Sequence, residues 1–364
     1  MIEHLRRIVS PLASFARSGR GLFVCSLMAG LALGTSSLVC LEAMNERAGN
    51  SNTLREAESG SAPPGLAGST RRAGGHGEGE PKLAVHEPTE TAVSKGRELE
   101  EELEEITAAH SGDYGVMLWQ PASGTTVAVG AEDKFRAASL AKIPVLLALH
   151  REAARGSLDL EERVRMSGTD IQEGTGAMRN LPPGTSLTLR QCAEYLIRES
   201  DNTAWSMLED RLGEARIRSE LSGAGARSTS YEYARHSTTP EDTLKLLRRV
   251  SDPGYTSPRH SREMLAYMTD TAFEDWLPQG VPEDARIAHK IGILGINFGD
   301  AGIVFPPRED SEKRYYVVVL AKETTEPDAS AAMQEISLAA YRSLVNPEAR
   351  PRPAPEEPGL AFRE

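Results

Sequence analysis

Ser139 and Lys142 have the chemistry and the spacing of a nucleophile and its base. They open a predicted helical segment, Ala138 to about Ala154, whose interior is apolar. Three-residue spacing puts the hydroxyl and the amine on one helix face, within reach of a hydrogen bond. Serine needs a base, and burial at the start of an apolar helix lowers an amine's pKa toward that use. Alone, the pattern more often indicates a capping serine and a lysine that extends to solvent.

Two further short runs carry polar side chains. Ser200-Asp201-Asn202 lies where one predicted helix ends and the next, Thr203 to Leu212, begins. Lys290-Ile291-Gly292 lies on a predicted strand that starts at Arg286. Taken singly, the first run is typical of an ordinary turn between helices. The second is typical of a charged lysine at a sheet edge, followed by a glycine where another backbone segment comes close.

Together the three runs resemble, in the same order, the Ser-x-x-Lys, Ser-Asp-Asn and Lys-Thr-Gly motifs of class A β-lactamases and penicillin-binding proteins. The resemblance runs from about Arg97 to Leu344. It implies an α/β serine hydrolase (an α+β sandwich) that forms an acyl-enzyme, with no metal and no other cofactor. The expected substrates are β-lactams or D-alanyl peptides of similar, peptidoglycan-like shape.

The resemblance also assigns catalytic roles. Ser139 becomes the nucleophile and Lys142 its general base. Ser200 relays a proton to the leaving nitrogen, and Lys290 supplies positive potential for a substrate carboxylate.

Substrate binding falls to three further positions by the same resemblance. Asn202 contacts the amide side chain of the substrate and holds Lys142. The backbone N–H groups of Ser139 and Ile293 form the oxyanion hole, next to Gly292 of the third motif.

Two departures from the family pattern bear on function. Ile291 stands where the family has Thr or Ser, which implies a missing hydroxyl at the carboxylate site. Most of the family's Ω-loop, which carries the Glu that activates the deacylating water, is missing before Thr238-Thr239-Pro240. Glu232 is the sole carboxylate in the short turn that remains, and it is the one candidate there for a replacement base.

The elements that position these residues follow from hydrophobic periodicity. A helix from Lys95 to His110 precedes two strands, Gly115 to Trp119 and Thr125 to Val129, and a long helical middle follows. Three more strands and a closing helix end the domain: Ala285 to Ile291, Ala301 to Phe305, Tyr315 to Ala321, and Asp328 to Leu344. This order predicts an antiparallel sheet built from both chain ends, with an all-helical block inserted, as in class A β-lactamases.

The regions outside this domain have different compositions. Residues 1–20 form an arginine-bearing N-terminus, and the apolar run Gly21 to Leu41 within residues 21–43 predicts a membrane anchor, with a cleaved signal peptide as the alternative. The positive-inside rule puts residues 1–20 in the cytoplasm and the hydrolase domain outside it, at the cell surface or in the periplasm. The composition predicts a disordered linker at residues 44–96 and a disordered Pro-rich tail at residues 347–364. The hydrolase domain is expected between them, at residues 97–346.

Composition limits the other possibilities. With 41 Lys and Arg against 53 Asp and Glu, and no basic stripe among aromatic residues, nucleic acid is not an expected partner. Cys192 is alone beyond the N-terminal run, so the domain has no disulfide or thiolate zinc site. Two alternatives stay open: a penicillin-binding peptidase or esterase with little antibiotic turnover, and a non-catalytic cell-wall-binding or sensor module that keeps the pocket.

Overall fold

The computed structural model describes residues 89–232 and 235–353. A five-stranded antiparallel sheet lies at its centre, with strand order β2-β1-β9-β8-β7. The strands in chain order are β1 (Asp113–Trp119), β2 (Thr126–Val129), β3 (Phe135–Arg136), β4 (Arg163–Arg165), β5 (Ser186–Thr188), β6 (Ser237–Thr238), β7 (Arg286–Leu294), β8 (Asn297–Phe305) and β9 (Tyr315–Lys322). The first two strands and the last three thus form one sheet, as predicted.

The helices of the described residues pack on both faces of this sheet. They are α1 (Glu90–Ala109), α2 (Lys142–Ala154), α3 (Leu189–Arg198), α4 (Asn202–Leu212), α5 (Glu214–Ala224), α6 (Pro240–Val250), α7 (Pro258–Tyr267), α8 (Leu277–Gly280) and α9 (Glu326–Leu344). Short 3₁₀ turns occupy Ala138–Ala141, Met178–Asn180 and Arg308–Lys313.

Strict alternation along the central strands separates two hydrophobic cores. On β9, Val318 and Leu320 face the inserted helical block around α2, whereas Val317 and Val319 face α1, α8 and α9. Successive side chains of a strand point to opposite faces, so a strand covered on both faces is apolar throughout. The predicted α+β sandwich, with an antiparallel sheet built from both chain ends and an inserted helical block, is therefore confirmed.

Capping residues set the helix starts that position the site. Thr188 accepts from the backbone N–H of Gln191, whose side chain accepts from the N–H of Thr188, and this capping box begins α3. Thr239 caps α6, where Pro240 occupies the first turn. Both signals were readable from the sequence.

Two small sheets were not predicted. β3 pairs with β6 and β4 pairs with β5, all of them only two or three residues long. Strands of this length are too short to show alternation, so hydrophobic periodicity cannot detect them. The β3–β6 pair ties the short turn before α6 to the segment that leads into Ser139.

The folded unit extends beyond both expected boundaries. α1 begins at Glu90 rather than Lys95, because the Thr89 hydroxyl accepts from the N–H of Ala92 and caps the helix. At the other end, Ala349 is buried and the Arg352 guanidinium donates to the carbonyl of Ala285. Residues 89–96 and 347–353 therefore belong to the structured domain.

The expected N-terminal anchor and linker, residues 1–88, and the tail from residue 354 onward lie outside the described residues. Within the part of the chain that is described, no helix combines the length and apolar character needed to cross a bilayer.

Candidate active site

Ser139 and Lys142 lie at the start of α2. A 3₁₀ turn, Ala138–Ala141, carries the serine and passes directly into the helix at Lys142. The Lys142 Nζ atom lies 3.2 Å from the Ser139 Oγ atom. The hydroxyl and the amine therefore lie side by side, as predicted. The turn that carries the serine is a 3₁₀ turn, which is tighter than a turn of α-helix.

The Lys142 amine is fully buried in a polar cluster. Its Nζ lies 3.1 Å from the Ser200 hydroxyl and 2.8 Å from the Asn202 Oδ1, and it also donates to the Ser200 carbonyl. Burial lowers the pKa of Lys142 well below its ordinary value, and the charge of Lys290 lowers it further. Asp201 and Glu209 oppose the shift. A depressed pKa makes the amine available as a proton acceptor for Ser139.

Ser200 adopts a backbone conformation that is rare for a residue with a side chain. Its φ is +53°, in the left-handed region. The Thr175 hydroxyl donates to its carbonyl at 2.6 Å, which helps to fix the turn that follows α3. This turn presents the buried Ser200 hydroxyl to both lysine amines.

A glycine-rich loop holds the rest of the Ser200 motif. The Asn202 side-chain amide donates to the carbonyl of Glu173 at 2.8 Å, and its backbone N–H donates to Thr175. Gly176 has φ +102°, and a Cβ there would meet the carboxylate of Asp201 at 2.0 Å. The loop can approach the motif this closely only because position 176 lacks a side chain.

Lys290 approaches the same hydroxyl from β7. Its Nζ lies 2.9 Å from the Ser200 Oγ and donates to the carbonyl of Ile291 at 2.9 Å. Burial lowers the pKa of Lys290 to about 7, against the opposing influence of Asp300. The structure therefore brings the four sequence-predicted catalytic residues together: Ser139, Lys142, Ser200 and Lys290.

Gly292 allows β7 to pass against the Ser139 turn. A Cβ at Gly292 would lie 2.9 Å from the carbonyl of Ala137 and 3.2 Å from the backbone nitrogen of Ser139. The next residue, Ile293, begins an exposed apolar stretch of β7. The backbone at Gly292 thus lies close to the Ser139 nitrogen, and the oxyanion-hole role of Ser139 and Ile293 stays a prediction.

Ile291 packs away from these polar groups. It is buried in the core that lies under α1, α8 and α9, with Phe298 and Trp276 among the members of that cluster. Alternation along β7 puts Lys290 on the face of Ser200 and Ile291 on the opposite face. The expectation that residue 291 borders the carboxylate site does not match this placement.

Glu232 takes no part in the hydrogen bonds described for the polar cluster. It is exposed, and its carbonyl accepts from the N–H of Arg235. Among the described residues, the hydrogen bonds to the Lys142 and Lys290 amines come from serine, asparagine and backbone groups, without a carboxylate.

Sequence reasoning missed an aromatic residue beside the catalytic amine. The Trp205 ring centroid lies 5.0 Å from the Lys142 Nζ. Trp205 follows Asn202 by three positions on α4, a spacing that places both on one helix face. That spacing could have identified it.

One group of described residues could hold a metal ion, and it shares no member with this site. His150, His260 and Glu263 place one ligand atom each within 4.8 Å of one another, with the two Nδ1 atoms 3.1 Å apart. Arg190 already pairs with the Glu263 carboxylate. A guanidinium at that carboxylate competes with a cation, so the cluster carries no argument for metal chemistry.

His289 has a structural role, as its place on a strand indicated. Its Nδ1 lies 2.8 Å from Asp300 and its Nε2 3.3 Å from Glu274. Burial acts to lower the pKa of His289, but the two carboxylates outweigh it and raise the pKa to about 9. This buried ion pair stabilises β7 behind Lys290.

A serine, two buried lysines and a second serine on this sandwich define a serine acyl-transfer hydrolase. The sequence model of the Beta-lactamase enzyme family matches residues 98–344, and the chain belongs to that family.

Individual relatives agree with this assignment. The chain is 28% identical over 277 residues to a β-lactamase of Streptomyces fradiae, covering 67% of this chain and 84% of that one. Among solved structures, it resembles PBP-A with a TM-score of 0.64 at 28% identity, over 68% of this chain and 95% of that chain. An L158E mutant of PBP-A, solved as an acyl-enzyme complex with penicillin G, gives a TM-score of 0.63 at 27% identity, over 68% and 96% of the two chains.

Proposed function

We propose that the protein reacts with β-lactams through an acyl-enzyme on Ser139. The observation that carries this proposal is the 3.2 Å separation between the Ser139 hydroxyl and the buried Lys142 amine, whose pKa burial lowers. Family membership supports the reaction class, and the penicillin acyl-enzyme of the PBP-A mutant supports the substrate class.

Each proton has a role in the proposed reaction. The neutral Lys142 amine takes the Ser139 proton as Oγ attacks the lactam carbonyl carbon, and the backbone N–H groups of Ser139 and Ile293 stabilise the oxyanion. As the lactam C–N bond breaks, Ser200 donates its proton to the leaving nitrogen. The Lys142 ammonium then returns a proton to Ser200, 3.1 Å away. The lactam is left as an ester on Ser139, with every proton accounted for.

Lys290 supplies the charge that selects an anionic substrate. Its amine lies 2.9 Å from Ser200 and comes from the strand that borders Ser139. The ammonium form of Lys290 attracts a carboxylate on the lactam. The bound carboxylate in turn raises the pKa of Lys290 from about 7 and so favours the ammonium form.

We also propose that release of the acyl group is slow. Hydrolysis of the ester needs a base that positions and deprotonates a water, and loss of such a base typically costs about 10² to 10⁴ in rate. Among the described residues, the hydrogen-bonded cluster around Ser139 contains no carboxylate, and Glu232 is exposed. This observation favours a penicillin-binding protein, which would act on D-alanyl peptides, as the second candidate function.

Stopped-flow hydrolysis of a chromogenic cephalosporin tests this proposal. The expected trace is a burst of about one product per protein followed by slow turnover, and Glu232→Gln should leave both phases unchanged. Rapid steady turnover that Glu232→Gln abolishes, with acylation preserved, would identify Glu232 as the deacylation base and overturn the slow-release proposal.

For the location, we propose that the apolar run Gly21 to Leu41 tethers the hydrolase domain outside the cytoplasm, where cell-wall peptides and β-lactams occur. Protease added to intact cells should release the domain by cutting between residues 45 and 88. A domain that resists protease until the cells are lysed would place it inside.

A further inference from the structure

A hydrogen-bonded chain of three side chains connects α4 to the turn before β6. The Trp205 indole N–H donates to the Tyr231 hydroxyl at 2.8 Å, and that hydroxyl donates to the Glu209 carboxylate. Tyr231 is only 4% exposed. The same Trp205 ring lies over the Lys142 amine, at 5.0 Å from Nζ to the ring centroid.

The direction of both hydrogen bonds is fixed by the chemistry of the groups. Indole can only donate and an ionised carboxylate can only accept, so the Tyr231 hydroxyl must accept from Trp205 and donate to Glu209. His236 packs against both rings, at 4.5 Å from the Tyr231 centroid and 5.3 Å from that of Trp205. The indole is therefore held by its hydrogen bond to Tyr231, which Glu209 fixes in turn, and by the tilted ring of His236.

We propose that Tyr231, anchored by its hydrogen bond to Glu209, is a positioning residue for Lys142, because it holds the Trp205 indole against the amine and keeps water away from it. The inference rests on the proposed function, in which Lys142 is the base for Ser139. It also assigns a role to the shortened turn, which supplies Tyr231 to this cluster.

The charged groups around Lys142 determine how it responds to each change. Lys290 faces it from β7, Glu209 from α4, and Asp201 from the N-cap position just before α4. Burial is the main cause of the lowered pKa of Lys142, so admitting water should raise that pKa. The negative charge of Glu209 favours the ammonium form, so its removal should lower the pKa further.

Two substitutions exploit this difference. Tyr231→Phe keeps the ring but removes the hydroxyl that holds Trp205, and it should raise the pKa of Lys142. Glu209→Gln keeps an acceptor for Tyr231 and removes only the charge, and it should lower that pKa. General destabilisation would shift both variants the same way, so opposite directions identify the positioning role.

Tyr255→Phe is the matched control. The Tyr255 hydroxyl donates to the buried Glu220 carboxylate at 2.7 Å, near Arg151 at the far end of α2. This substitution breaks an equivalent tyrosine–glutamate bond that has no contact with Trp205.

The test measures the titration of Lys142 in the full chain. Lysine ¹³Cε signals are followed by NMR against pH, with the Lys142 signal assigned by its loss in Lys142→Met, and the acylation rate with a penicillin is measured over the same range. Tyr231→Phe should move the Lys142 pKa and the acid limb of acylation to higher pH by about one unit, which is about a tenfold slower rate at any pH on that limb. Glu209→Gln should lower the Lys142 pKa and move the acid limb to lower pH. Tyr255→Phe should change neither quantity.

Wild-type titration in Tyr231→Phe, or shifts in the same direction for Tyr231→Phe and Glu209→Gln, would overturn the inference. If Tyr231→Phe fails to fold, Trp205→Phe, which removes the indole donor, takes its place with the same expected direction. A wild-type protein that no penicillin acylates would refute the proposed function alone, because the lysine titration still decides the inference.

Discussion

The hydroxyl oxygen of Ser200 lies 2.9 Å from the amine of Lys290 and 3.1 Å from the amine of Lys142. One hydroxyl thus joins two buried lysine amines that come from β7 and α2. Repulsion between the two amines adds to burial in lowering the pKa of Lys142, which keeps it ready to accept a proton.

Removing the second amine should therefore change the pH dependence of acylation. Acylation needs neutral Lys142, so its rate rises with pH through the pKa of that residue. In Lys290→Gln the repulsion is lost, the pKa of Lys142 rises, and the acid limb moves to higher pH. Rates of penicillin acylation from pH 5 to 9 check this, with Lys95→Gln on the exposed face of α1 as the control. An acid limb that stays in place would show that the two amines are not coupled.

The close passage of β7 past the Ser139 turn predicts a selective defect in Gly292→Ala. The added Cβ would meet the Ala137 carbonyl at 2.9 Å and force β7 away from the nucleophile. Because small displacements of reacting groups are costly, acylation should fall by about tenfold to a hundredfold. Gly168→Ala is the control, since a Cβ there meets nothing within 4 Å. Equal acylation rates in the two variants would refute the account of Gly292.

The placement of Ile291 predicts that a hydroxyl there does not help the substrate. Ile291→Thr buries an unpaired hydroxyl among apolar side chains and should lower the free energy of unfolding by about 1 to 3 kcal/mol, without faster acylation. Ile291→Val, which adds no hydroxyl, should cost about 0.5 to 1.5 kcal/mol. Urea unfolding and acylation rates check both variants. Faster acylation in Ile291→Thr alone would mean that position 291 does reach the carboxylate.

The motif residues were predictable from the sequence because the three short runs together resemble the family's motifs in the same order, although each run alone favoured a structural reading. The Ser139–Lys142 spacing and the strand that carries Lys290 fix where those side chains point. The orientation of Ile291 follows from the alternation of side chains along β7. It was not predicted, because the family has a substrate-binding Thr or Ser at that position. The bond between Trp205 and Tyr231 spans 26 residues, and no local pattern reports such a contact.

The buried pair of His289 and Asp300 predicts how stability depends on pH. The folded-state pKa of His289 is raised to about 9 from 6.5, so its contribution is complete below pH 6.5 and is lost as pH rises through 9. The difference in unfolding free energy between wild type and His289→Gln should therefore shrink by about 3 kcal/mol between pH 6 and pH 9.5. Urea titrations at the two pH values check this, and a constant difference would contradict it.

Covalent labelling of Ser139 tests the central claim most directly. The protein is incubated with penicillin G, its intact mass is followed over time, and the adduct is located by peptide mapping. We predict one adduct with the full mass of the penicillin, on Ser139, that persists after free drug is removed and is absent in Ser139→Ala. An adduct that survives in Ser139→Ala, or that maps to another residue, would contradict it.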